Sequence, residues 1–167
     1  MQPLPTEKSI SALNIPHSSI VFDLHRVTEI RAELLGGNGV AVESVRHADI
    51  VSFTCLKAFA FDQRFERKDA HDLAYCIEHA PEGWEAVVVA FGRALSGKHA
   101  GVVREALNIL RKRFADDEAI EGYRKDGPVS VAKFELGESD EPDLREARAL
   151  RQRVVSDVIG RLLAGIG

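Results

Sequence analysis

Between Asp49 and His79 the apolar residues recur at spacings of three and four, in two runs separated by a charged break. The first run holds Ile50, Phe53, Leu56, Phe59 and Ala60; the second holds Leu73, Cys76, Ile77 and Ala80. That period predicts two amphipathic helices, over 49–63 and 68–79, meeting at a polar elbow. Asp49 is a suitable N-cap. Lys57 and Arg64 stand seven apart, so they share a face two turns along. Asp69 and Asp72 stand three apart on the second helix, so their carboxylates are neighbours. The elbow can therefore bring two cations to two carboxylates. Either these charges pair to orient a helical corner, or the cations meet phosphate oxygens while a carboxylate positions them or helps hold a metal.

The rest of the chain supplies cover for this corner. Residues 1–17, with three prolines in MQPLPTEKSISALNIP, read as an irregular lead. Residues 18–28, SSIVFDLHRVT, read as a strand with a buried Ile20-Val21-Phe22 centre. Asp23 would then stand near the strand's end, with His25 on the same face, as a metal ligand, a base or a solvated acid. Gly36, Gly37, Asn38 and Gly39 suit a tight hairpin turn, with a strand over 40–45 returning antiparallel to the first.

Further helices are expected over 82–96 with Gly97 as C-cap, over 98–114, and in a short acidic-capped piece from Asp116 to Tyr123. Trp84 is expected to anchor a helix interface. Lys125-Asp126-Gly127-Pro128 reads as a turn, and the alternation in VSVAKFEL reads as a strand over 129–136. Residues 137–143, GESDEPD, form an acidic loop. A last helix over 144–164 would carry the stripe Leu144, Ala147, Leu150, Val154, Val158, Ile159 and Leu162, about 30 Å long. That stripe is a candidate surface for packing, for a homo-oligomer or for a protein partner.

Composition narrows the function classes. An apolar content of 45% with 29% charged residues is that of a globular domain with a sizeable core. A net charge of −4 argues against a general nucleic-acid binder, although it leaves a local basic pocket open. Cys55 and Cys76 fall at apolar helical positions and read as buried thiols in a reducing compartment. No CxxC and no zinc spacing occurs. No apolar run approaches the about 18 residues of a spanning helix, so no membrane partner is expected and the cytoplasm is the expected location.

The order Leu56-Lys57-Ala58, Ala60, Arg64, then Lys68-Asp69-Ala70, Asp72-Leu73 resembles the second half of predicted nucleotidyltransferases related to the abortive-infection type IV toxins. The likeness spans about residues 19–80. It implies a polymerase-beta-type fold, a toxin–antitoxin setting, and transfer of a nucleotidyl group from a magnesium-bound NTP to a hydroxyl acceptor. By that resemblance Lys57 neutralises triphosphate charge, and Asp69 orients the lysine or acts near the nucleophile. Arg64, Lys68 and Asp72 complete the nucleotide-binding set, and Asp23 is a metal carboxylate. The chain departs from the family in one respect. No D-x-D pair precedes the lysine helix, and none follows Gly36-Gly37.

The expectation is an α+β fold: a small, mostly antiparallel or mixed sheet against a helical bundle, with residues 18–136 as the nucleotidyltransferase-like domain. The rival is a non-catalytic interaction or regulatory protein that keeps the scaffold, which the missing D-x-D pair favours.

Overall fold

A computed structural model describes Pro3–Leu4, Ala12–Leu13 and residues 16–167. The fold is α+β. Pro3–Leu4 (β1) and Ala12–Leu13 (β2) pair antiparallel, and Ile20–Asp23 (α1) is a single helical turn. His25–Glu33 (β3) and Val40–Ala48 (β4) form an antiparallel hairpin. Six helices follow: Ile50–Arg64 (α2), Arg67–Glu78 (α3), Trp84–Leu95 (α4), Ala100–Phe114 (α5), Asp126–Leu136 (α6) and Pro142–Ile166 (α7). A 3-10 turn at Gly122–Arg124 precedes α6. The irregular lead expected over 1–17 falls mostly outside the described residues.

The core belongs to the helices. Phe61, Phe91, Phe114, Leu110, Ile159 and Leu162 are fully buried there. At about 25 cal/mol per Å² of apolar surface, each such side chain stabilises the bundle by roughly 2–3 kcal/mol before the cost of ordering it. Among the described residues, no helix is long and apolar enough to cross a membrane. Cys55 is buried, Cys76 is half-buried, and both are free thiols. Burial, helped by the charge of Asp49, pushes the Cys55 thiol up to about 12, so it stays protonated and inert.

The hairpin follows the expected logic. Gly36, Gly37 and Gly39 all adopt positive φ, which only glycine takes without steric cost. Leu34 N–H donates to Gly39 C=O at 2.9 Å and closes the turn. The Asp49 carboxylate accepts from Ser52 N–H at 2.8 Å, capping α2 as its position predicts.

Several expectations fail for identifiable reasons. Residues 20–23 are helical rather than extended. Ile20 is fully buried while Phe22 is 78% exposed. Residues 116–121 form no helix. Instead the Asp117 carboxylate accepts from the Ala119 and Ile120 amides, both at 2.8 Å, which ties the backbone into a local turn. Residues 126–136 are neither turn nor strand but α6, with Pro128 inside its first turn, where no intrahelical N–H is required. Val131 and Ala132 bury at helical spacing. Ser96 ends α4 in place of Gly97.

On α7 the buried positions are Arg148, Val155, Ser156, Ile159, Leu162 and Leu163. Leu150 and Val154 face out, so the core stripe is rotated from the expected one. Arg148 turns inward because its guanidinium donates to Gly137 C=O at 3.2 Å and Ser139 C=O at 2.6 Å. Those bonds tie down the acidic loop. Trp84 packs against the core, with the Arg161 guanidinium 4.9 Å from its ring centre.

Candidate functional site

The α2–α3 corner is built on an unusual elbow. Phe65 ends α2 in the left-handed region, φ 55°, where a bulky residue costs on the order of 1 kcal/mol or more. Packing offsets that cost. The Phe65 ring meets Phe61 edge-on at 5.7 Å, and the Arg113 guanidinium lies 4.5 Å from its centre. α3 then runs back beside α2. Asp69 falls in the first turn of α3, where a carboxylate also suits the positive end of the helix dipole.

There the four charges meet, joined by Lys68. Lys57 Nζ donates to Asp69 Oδ1 at 3.0 Å and to Asp72 Oδ2 at 2.7 Å. Arg64 Nε donates to Asp69 Oδ2 at 2.6 Å, and Lys68 Nζ donates to Asp72 Oδ2 at 2.6 Å. Asp69 is only 1% exposed. Burial alone would raise its pKa, but the Arg64 and Lys57 hydrogen bonds outweigh it and hold the carboxyl below its ordinary value. Asp72 behaves likewise: burial opposes ionisation, and the bonds from Lys57 and Lys68 bring it down to about 2. Burial would lower the Lys57 ammonium, yet its two carboxylate partners keep it above its ordinary value. Lys57, Arg64, Asp69 and Asp72 are therefore all charged at neutral pH.

Three cations share two carboxylates, which leaves one positive charge in excess. Arg64 and Lys68 are mostly exposed, at 58% and 67% of their side chains. Beside Lys57 and Arg64 lies an open pocket of about 570 Å³, lined also by Phe53, Leu56, Ala60 and Asp69. Phe53, Leu56 and Ala60 were expected in the core. The fully buried side of α2 is instead Val51, Cys55, Ala58 and Phe61, which turns the expected apolar face into the pocket wall.

Asp23 does not join this corner. It ends α1, where its Oδ2 accepts from Lys98 Nζ at 2.9 Å and lies 2.6 Å from His99 Nε2. These two bonds hold its carboxyl below the ordinary value. It lines a separate cavity of about 520 Å³ with His25, Asp49 and Arg93. His25 Nδ1 is buried there without a hydrogen-bond partner. Lys98 and His99 were expected to open the helix over 98–114 and carried no site role; in the structure they precede α5. Nothing in their spacing from Asp23, 75 and 76 positions away, signals the contact.

Among the described residues, no three His, Cys, Asp or Glu side chains gather into a set able to hold a metal ion. Asp69 and Asp72 are occupied by cations, and Asp23 is a lone carboxylate elsewhere. A magnesium donor set is thus not assembled here. What the corner can do unaided is present a braced ammonium and two exposed cations to an anion. Comparison with family models, with curated proteins and with solved structures finds no match to this chain.

Proposed function

We propose that the chain is a nucleotidyltransferase-like protein whose α2–α3 corner receives the triphosphate of a magnesium-bound NTP. One observation carries this reading: Lys57, braced by Asp69 and Asp72, stands with Arg64 at the wall of an open pocket. Lys57 is the fixed charge, oriented by Asp69 and Asp72. Arg64 and Lys68 turn from their carboxylates toward phosphate oxygens, and the apolar wall accepts the rest of the nucleotide. Preorganised charge of this kind is the main contribution of protein groups to phosphoryl-type transfer. Transfer to a hydroxyl on RNA, protein or a small molecule needs the metal-binding carboxylates of a partner chain. Two free thiols fit a reducing, cytoplasmic setting.

Calorimetric titration of the folded chain with each of the four magnesium NTPs tests this. Saturable binding is expected, weakened about tenfold or more in Lys57→Ala by loss of a charge-assisted contact. No heat with any nucleotide would overturn it. A second reading has its own support. Every cation of the corner already has a carboxylate partner. On that reading the network locks the elbow of a non-catalytic interaction protein, and Lys57→Ala lowers stability without a binding phenotype.

A further inference from the structure

The β3–β4 hairpin stands apart from the helical core. Every residue of β3 after His25 is exposed, and β4 is exposed except at Ala41 and Ala48. A two-stranded ribbon with both faces in water is marginal on its own. Its outer edge is guarded only by the charges of Arg26, Glu29, Arg31 and Glu33 among the described residues. β3 contains no proline and no lysine, and its nine-residue register with β4 is unbroken by a bulge.

The phase of the backbone bonds shows what that edge offers. Leu34 N–H donates to Gly39 C=O, and Leu24 C=O accepts from Asp49 N–H. Even-numbered positions of β3 therefore face β4, and the N–H and C=O of Val27, Glu29, Arg31 and Glu33 face outward. We propose that this edge pairs with β3 of a second copy of the chain. The two-fold axis passes through Ile30, giving a four-stranded antiparallel sheet in the order β4–β3–β3–β4.

Charge selects this partner and this register. With the axis at Ile30, Glu29 faces Arg31 of the second copy, and Arg31 faces its Glu29. Both are outward-facing pairs that exchange backbone hydrogen bonds. Thr28 faces Ala32, and Ile30 meets its own copy on the opposite face. Moving the axis by one residue sets Glu29 against Glu29 or Arg31 against Arg31. The same pairing places His25 opposite Leu35. Leu35, 95% exposed at the turn, is thereby carried to the base of the other hairpin, the end where the exposed Phe22 lies. The bases of the two hairpins lie at opposite ends of the shared sheet, about 30 Å apart for nine residues of strand.

Sedimentation velocity of the full chain across a dilution series tests the proposal, with far-UV circular dichroism as the folding control. The wild-type chain is expected at twice its 18.4 kDa mass. Glu29→Arg and Arg31→Glu each turn two favourable pairs into two repulsive ones, which weakens association about tenfold to a hundredfold. Both together in one chain restore the dimer, as does mixing the two single variants. A wild-type chain that stays monomeric overturns the proposal. So does a dimer that neither single variant weakens, since it must form through another face. A double variant that stays monomeric overturns the register. The readout does not involve the nucleotide pocket, so it stands apart from the proposed function.

Discussion

Asp72 shows what a single residue contributes at the corner. Its carboxyl is held at about 2 in the folded chain, against about 4 when unfolded. A depressed carboxyl stabilises the fold above its unfolded value and loses that contribution as pH falls through its folded value. The melting temperature should therefore fall as pH drops from about 4 to 2, with Asp72 contributing up to about 2 kcal/mol of the loss. Asp72→Asn should be less stable at pH 7 and show a flatter fall across that window. A melting series followed by circular dichroism checks both, and equal acid slopes for the two chains would remove Asp72 from the account. This corner was legible in the sequence because its residues are local. Spacings of seven and three on adjacent helices leave few other places for Lys57, Arg64, Asp69 and Asp72. Asp23 was not legible in the same way. Its setting depends on Lys98 and His99, which only the packing of α4 and α5 brings near.

At the scale of elements, α6 shows where periodicity loses its power. VSVAKFEL alternates like a strand, yet the same residues place Val131 and Ala132 on one side of a helix that starts with Asp126. Eight residues satisfy either period, and only cover from neighbouring helices decides between them. Gly127 is the decisive fit. A Cβ there would lie 2.5 Å from the Phe114 ring, so the first turn of α6 packs directly on the end of α5. Phe114 is fully buried and also meets Phe61 at 5.8 Å, which leaves it no room to withdraw. Gly127→Ala should therefore cost about 1–3 kcal/mol, despite alanine's better helix propensity, visible as a lower denaturation midpoint with an unchanged slope. A stabilised variant would mean that α5 and α6 are not in this contact. The Ile20–Asp23 turn taught the same lesson. Its short apolar run suits a strand or a helix, and burial of Ile20 against the bundle selects the helix.

At the scale of the whole molecule, the chain divides its work between a helical body that is stable through its core and a hairpin that has no core of its own. Binary patterning made α2 to α5 and α7 legible as helices, although the buried faces of α2 and α7 are rotated from the expected ones. It left the hairpin's isolation hidden, because Val27, Ile30, Val42 and Val45 look like residues that some neighbour should cover. Hydrogen exchange followed by NMR can read the difference strand by strand. Amides of α2, α5 and α7 should exchange slowest, because opening them requires loss of the Phe61, Leu110 and Ile159 packing. Within β3, Thr28, Ile30 and Ala32 donate toward β4 in any state of assembly, whereas Val27, Glu29, Arg31 and Glu33 point away from it. Only the second set should gain protection as the chain is concentrated. Because the free monomer fraction of a largely assembled dimer falls as the square root of concentration, that gain should be about threefold per tenfold rise in concentration. Identical exchange of odd and even positions at every concentration would mean that the edge of β3 stays open to water.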